Sequence, residues 1–344
     1  MRRALFTAAV LFAAAVSASG MTGVFRDDYI FTYGGNKVYS SNILENRINI
    51  EHRTEAWKFF GDLRLLLYSG LAEEAAGESD FRLMRCFIRY YSRIGTFTIG
   101  RTYVALGNFG VFNPFERDKE ISMSDISYDR SGADAFVWDI ALGELSGIRS
   151  YIAPNAEFDE SSAGVQIFGN MLRFDAGAVI NRLAPGRNVA GIFFKGDLLT
   201  NISGSFAYHF NDGATENFFE GNVGFEHFFS AKFFVQALYY YNESGANAVA
   251  DYSGEAATDR YFQARHYLFF NTNFIFDEFF SAFFYAFGNL VDSSAILTPG
   301  AKWTLNNGLD LTFQVYGITG TGEDEFSMAE FGKFGGMIRF EAKF

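Results

Sequence analysis

Apolar and polar residues alternate one by one through most of this chain, in stretches of about ten residues. In its last strand-like stretch, Ile338, Phe340, Ala342 and Phe344 are apolar, and Arg339, Glu341 and Lys343 between them are charged. Within 133–142, Phe136, Trp138, Ile140 and Leu142 share one parity, and Val137, Asp139 and Ala141 the other. Within 57–68, Trp57, Phe59, Leu63, Leu65 and Leu67 oppose Lys58, Asp62 and Arg64. A period of two belongs to a β-strand with one greasy face and one wet face. Within 43–53 the wet face is a full polar row, Glu45, Arg47, Asn49, Glu51 and Arg53, against Leu44, Ile48 and Ile50. A sandwich would put that row in solvent, and a barrel would put it in its lumen. What remains open is the medium that meets the apolar face.

The chain opens MRRALFTAAVLFAAAVSASG. Arg2 and Arg3 precede an apolar run from Ala4 to Val16, and Val16-Ser17-Ala18 supplies the small residues of a cleavage site. This pattern predicts a secretory signal peptide over 1–18. The formal charge is −12, and loss of the two arginines makes the exported chain two units more negative. Nucleic acid, whose phosphates need Lys and Arg, is excluded as a partner. Cys86 is the single cysteine, which excludes an internal disulfide. The 43 Phe and 18 Tyr make aromatics 19% of the residues together with Trp. No stretch after the signal reaches the roughly 18 uninterrupted apolar residues of a membrane helix. An exported, aromatic-rich, alternating chain without such a helix points to a closed membrane β-barrel. A secreted β-sandwich is the alternative.

Turn signals set the count. Short connections (53–56, 92–95, 143–146, 169–172, 195–198, 229–232, 276–278 and 306–308) alternate with long, mostly acidic ones (69–80, 107–132, 154–161, 211–216, 242–259 and 319–332). The connections at 182–187 and 289–293 are shorter but fall in the long phase. Short turns face the periplasm and long loops the outside in bacterial barrels. The strands so predicted are 25–33, 43–53, 57–68, 81–91, 96–106, 133–142, 147–153, 162–168, 173–181, 188–195, 200–210, 217–228, 233–241, 261–273, 279–288, 294–305, 309–318 and 333–344, with GGNKVYSS as the first outer loop. The reading is all-β: a transmembrane antiparallel barrel of about 18 strands, or about 16 if the short pair 147–153 and 162–168 is lost, with no plug domain and one domain over 19–344.

Two resemblances follow from particular residues. The last strand, ending on Phe344, resembles the C-terminal recognition strand of Gram-negative outer-membrane proteins, which implies the barrel-assembly machinery as a partner. The stretch 81–116 is similar to a hairpin and loop of the 18-stranded, alginate-export-type group of substrate channels. Gly100, Arg101, Gly107, Gly110, Asn113 and Pro114 match its pattern, while Thr102 and Leu106 replace its Gln and Trp.

The wet faces nominate a site. Arg47, Arg64, Arg85 and Arg101 stand at similar distances from two neighbouring short turns, so a constant rise per residue predicts an arginine row at mid-height. Arg89 shares the face of Arg85, nearer the turn, and Glu45, Glu51 and Asp62 complete the candidate lumen set. Guanidinium forks suit carboxylate, phosphate or sulfate groups of a passing solute. The competing reading is that these charges pair with one another and fill the wall. Arg101 also shares parity with Phe97 and Ile99, so it faces inward only if those do, or if Gly100 marks a bulge. Phe109, Phe112 and Phe115 of the longest loop either stack on a solute or pack the loop on the wall. His52, His209, His227 and His266 lie on separate strands, with His52 and His266 on apolar faces, and no G-x-S-x-G or H-E-x-x-H motif occurs. Neither an enzyme nor a cofactor or metal is implied. The sequence thus predicts an outer-membrane porin for small hydrophilic, anionic solutes. Its lipid partners are the bilayer and lipopolysaccharide, and an oligomer is compatible with the strand faces. The rival is a non-conducting surface protein that binds partners through acidic loops.

Overall fold

In the computed structural model, residues 20–34, 37–70, 77–107, 112–115, 132–157, 160–184, 186–211, 216–252, 263–306, 308–327 and 334–344 are described. The predicted signal peptide, Phe109 and Gly110 lie outside them. The strands are β1 (Met21–Gly34), β2 (Lys37–Arg53), β3 (Trp57–Gly70), β4 (Ser79–Ser92), β5 (Gly95–Thr102), β6 (Ala133–Gly143), β7 (Ser146–Ala153), β8 (Ser162–Met171), β9 (Phe174–Ala184), β10 (Arg187–Asp197), β11 (Asn201–Asn211), β12 (Phe218–Ser230), β13 (Phe233–Asn242), β14 (His266–Ile275), β15 (Phe280–Asn289), β16 (Ala295–Asn306), β17 (Leu309–Ile318) and β18 (Phe334–Lys343). Each pairs antiparallel with its neighbours in sequence, and β1 pairs with both β2 and β18. The result is a closed 18-stranded barrel without a plug among the described residues. Closure leaves no strand edge open. The pair β7 and β8 is present, so the count is 18 and not 16.

The seam accounts for the terminal phenylalanine. The backbones of Phe344 and Gly23 exchange hydrogen bonds of 2.7 and 3.0 Å. A Cβ on Gly23 would lie 2.2 Å from the Phe344 ring, so the missing side chain is what lets that ring lie over β1. The two faces separate as the alternation predicts. Outward residues are large and apolar, among them Phe136, Ile152, Val165, Ile180, Phe225, Phe313 and Ile338. Trp57, Tyr90 and Trp303 are also exposed, near strand ends on the short-turn rim.

Three boundaries differ from expectation. GGNKVYSS is not an outer loop: β1 runs to Gly34 and β2 begins at Lys37, so most of that stretch is strand in a tall hairpin. The strand expected over 96–106 ends at Thr102, where the chain turns away from the wall. The strand expected over 261–273 begins only at His266, and Ala264 instead bridges Ala246 in the preceding loop.

Candidate functional site: the lumen

A loop and a charged wall divide the lumen. After β5 the chain turns inward, and residues 103–107 and 112–115 lie against the inner face. Gly107 has φ +81°, a left-handed conformation that favours glycine, and its bare Cα lets the Phe115 ring approach. Asn113 ties the segment to itself: its Nδ2 donates to Leu106 O at 2.8 Å, and its Oδ1 accepts from Phe115 N at 3.1 Å. Three wall amides then hold it. Gln166 of β8 accepts from Gly107 N at 2.7 Å. Asn181 of β9 donates to Phe115 O at 2.9 Å, and Asn222 of β12 donates to Phe112 O at 2.6 Å. Phe115 is buried among Val179, Val189 and Ala207, while Phe112 stacks on Tyr240 at 4.7 Å. Tyr240 is itself fixed, donating to Glu220 at 2.9 Å, with His209 2.9 Å from that carboxylate's other oxygen. Phe112 and Phe115 therefore pack the loop on the wall from β8 to β15 and are not free for a solute.

The opposite wall carries the predicted charges. Arg47 lies directly across from Arg64, and Asp62 across from Arg85. A bulge at Met84 in β4 keeps Arg82 and Arg85 on one face although they are three residues apart. Asp62 is fully buried and is shared by Arg47 at 2.7 Å and Arg85 at 2.9 Å. Glu45 is shared by Arg64 at 2.9 Å and Arg26 at 3.3 Å. Arg26 continues to Glu341, Glu341 to Lys343, and Lys343 to Asp310, which also holds Lys302. This chain of alternating charge crosses six strands from β16 to β3. Glu51 pairs with Lys58 at 2.8 Å, nearer the short turns. Arg89 pairs with no carboxylate among the described residues. It donates to Thr98 at 3.0 Å and lies over the Phe87 ring.

Arg47, Arg64 and Arg85 come together on one inner face with Arg89 nearer the short turns, and the first three pair with Asp62 and Glu45 of the same wall. Arg101 is a correction. Gly100 has φ +118°, but the β4–β5 and β5–β6 registers run through it without a slip. Arg101 therefore keeps the parity of Ile99, on the outer wall, where it makes a bidentate pair with Asp134 of β6. Parity alone had carried that information. Several participants were not nominated from the sequence: Arg26, Lys302, Asp310, Glu341 and Lys343, contributed by strands far apart in sequence, and the anchoring amides Gln166, Asn181 and Asn222. Inward-facing Phe60 and Phe87, stacked at 5.3 Å beneath Arg85 and Arg89, were also missed.

At the long-loop end, three connections meet in one buried polar cluster. Glu325 accepts from Tyr267 at 2.6 Å, Asn289 at 2.8 Å and Gln263 N at 2.7 Å. Asp292 accepts from Tyr252 at 3.0 Å, Asn289 at 3.0 Å and Glu325 N at 2.8 Å. Burial, with the Asp292 charge adding to it, pushes the Glu325 carboxyl above the usual carboxylate range.

No family model matches the chain, and no curated protein matches it. Solved structures do. Pseudomonas aeruginosa OccK11 (OpdR) superposes with a TM-score of 0.63 at 8% identity, covering 95% of this chain and 96% of that one. Pseudomonas aeruginosa OccK2 (OpdF), solved in complex with glucuronate, gives 0.59 at 10% identity, covering 96% and 98%. A mutant of the Rh. blastica porin gives 0.52 at 14% identity, covering 94% and 99%. The similar structures are of the Occ and OmpF types of outer-membrane porin, and they do not support the alginate-export resemblance of 81–116. At these identities the likeness establishes the fold: the chain has the barrel of the outer-membrane porins.

Proposed function

We propose that this chain is an outer-membrane channel for passive diffusion of small hydrophilic solutes, exported by the 1–18 signal, with a preference for anionic ones. The membrane placement rests on the continuous apolar outer wall of a closed barrel and on the porin fold of its structural neighbours. The single observation behind the anionic preference is the sharing of carboxylates on the open wall. Asp62, Glu45 and Asp310 each serve two cations. A positive surplus in a narrow low-dielectric passage raises the local concentration of anions.

The test is conductance of the refolded barrel in a planar bilayer, with the reversal potential read in a salt gradient. Discrete steps with an anion-selective sign are expected. Arg64→Ala with Arg85→Ala should move the potential toward zero. A cation-selective pore would retire the charge argument and leave the channel standing. A silent but heat-modifiable barrel would return the reading to a surface protein acting through its loops.

A further inference from the structure

The short-turn rim is polar along one part of its circumference and apolar along another. At the β2–β3 and β16–β17 turns an exposed tryptophan, Trp57 or Trp303, stands near the strand end, and the tips read Thr54-Glu55-Ala56 and Asn306-Asn307-Gly308. That is the usual edge of a membrane wall, an aromatic belt and then water. The four turns from β4–β5 to β10–β11 instead expose an aliphatic side chain at the tip: Ile94 by 66%, Leu145 by 65%, Leu172 by 85% and Leu199 by 95%. Each turn is only two or three residues long, closed by the pairs Ser92–Gly95, Gly143–Ser146, Met171–Phe174 and Asp197–Asn201. In the β8–β9 turn Leu172 has φ +54° and Arg173 φ +74°, the left-handed pair that Asn-Gly adopts at least cost. Glycine or asparagine would close that hairpin more easily, so its folding does not explain the leucine. The outward residues of β8 that lead to the tip, Val165, Ile167 and Met171, are exposed and apolar, and no polar side chain intervenes. Arg93 and Arg173, beside two of the tips, are exposed and make no salt bridge or side-chain hydrogen bond among the described residues.

Exposed aliphatic tips cost free energy in water and gain it among acyl chains. We infer that the short-turn rim from β4 to β11 inserts into phospholipid, with Ile94, Leu145, Leu172 and Leu199 in the acyl region of the inner leaflet and the Thr54 and Asn306 turns left in water. Three features select lipid over a periplasmic protein. The tips continue the apolar outer wall, which already faces the bilayer. Tips of successive hairpins lie two strand spacings, roughly 10 Å, apart, so they form an arc of separate points and not the contiguous patch that a protein contact needs. A free guanidinium next to an aliphatic side chain suits the headgroup level, where the cation meets lipid phosphate while its neighbour sinks. Glu144, the one carboxylate in these four turns, is exposed and reaches headgroup water on its own stem. The inference rests on the membrane placement of the barrel and not on its conducting ions.

The test is a depth measurement on the refolded barrel in vesicles of phosphatidylethanolamine and phosphatidylglycerol. The native Cys86 is replaced by Ser, and a nitroxide is attached to a single cysteine placed by Leu172→Cys or Leu199→Cys, or by Glu55→Cys as the polar-turn control. With a water-soluble nickel chelate on both sides of the bilayer, collisions should be about tenfold rarer at 172 and 199 than at 55, because a polar chelate stays out of hydrocarbon. Collisions with dissolved oxygen should be more frequent at 172 and 199 than at 55. Equal chelate access at the three positions would overturn the insertion. Tips open to the chelate in pure lipid and shielded only in native outer membranes would assign the arc to a periplasmic protein and overturn it as well. Ile94→Cys and Leu145→Cys, on the same arc, take over if either leucine variant loses heat-modifiable migration. A folded, inserted barrel with its tips in water removes only this inference. A chain that never enters the vesicles removes the membrane reading with it.

Discussion

Asp62 shows what a single residue does in this lumen. Its carboxylate is fully buried between two guanidiniums that are still partly open to the passage, Arg47 and Arg85. Removing one partner of a buried pair costs about 3–5 kcal/mol, and the access of both arginines to water argues for the lower end. Asp62→Asn should therefore lower the urea midpoint of the refolded barrel and, by removing the charge that both arginines share, move the reversal potential further toward anion selectivity. A variant that loses stability without that shift would mean the passage does not sense this wall. Gly107 makes a different demand. With φ +81° and Phe115 against its Cα, Gly107→Ala should cost the loop about 1–3 kcal/mol of local strain, seen as added open-channel noise. The sequence made the first residue legible and not the second. Asp62 stands in a polar face that alternation exposes, whereas the demand on Gly107 comes from a ring eight residues further on. Arg101 lies between these cases. Its parity with Ile99 was readable, and only an unbroken register through Gly100 decided the face.

At the scale of elements, strands were legible and side-chain anchors were not. Alternation and the phase of short and long connections set β3, β6, β13 and β17 to within about two residues, because both are local properties of the chain. The tall β1–β2 hairpin was misread because GGNK looks like a loop and the polar residues after it conceal the continuing ladder. The inward turn after Thr102 was hidden for another reason. Its anchors, Gln166, Asn181 and Asn222, lie 59 to 110 residues from the atoms they bind. Replacing Asn181 and Asn222 together by Ala should free the loop and produce larger, flickering conductance; steady wild-type steps would mean that Phe112 and Phe115 suffice. The outer loop cluster should respond to pH. The folded-state pKa of Glu325 is raised, so its contribution to stability is full below the ordinary carboxylate value and is lost as pH rises through the folded value. Amide exchange at 290–294 and 319–327, corrected for intrinsic rate, should show more protection near pH 5 than near pH 8. Glu325→Gln should remove that difference.

At the scale of the whole molecule, an acidic chain encloses a passage whose charged wall has carboxylates shared between cations. Raising the salt from about 0.1 M to 1 M shortens the screening length from about 10 Å to 3 Å. The proposed selectivity should weaken steeply over that range while conductance keeps rising; selectivity indifferent to salt would point to size or shape instead. The barrel is also divided lengthwise. From β8 to β15 the inner face is spent on gripping a loop, and from β16 to β4 it is a chain of paired charges. The division is an instruction for anyone turning such a barrel into a sensor. The gripping half is foundation, to be altered only with compensating repacking. The charged half can be rewritten link by link, because exchanging both members of one ion pair leaves its neighbours' bonds in place and changes only what the traveller meets.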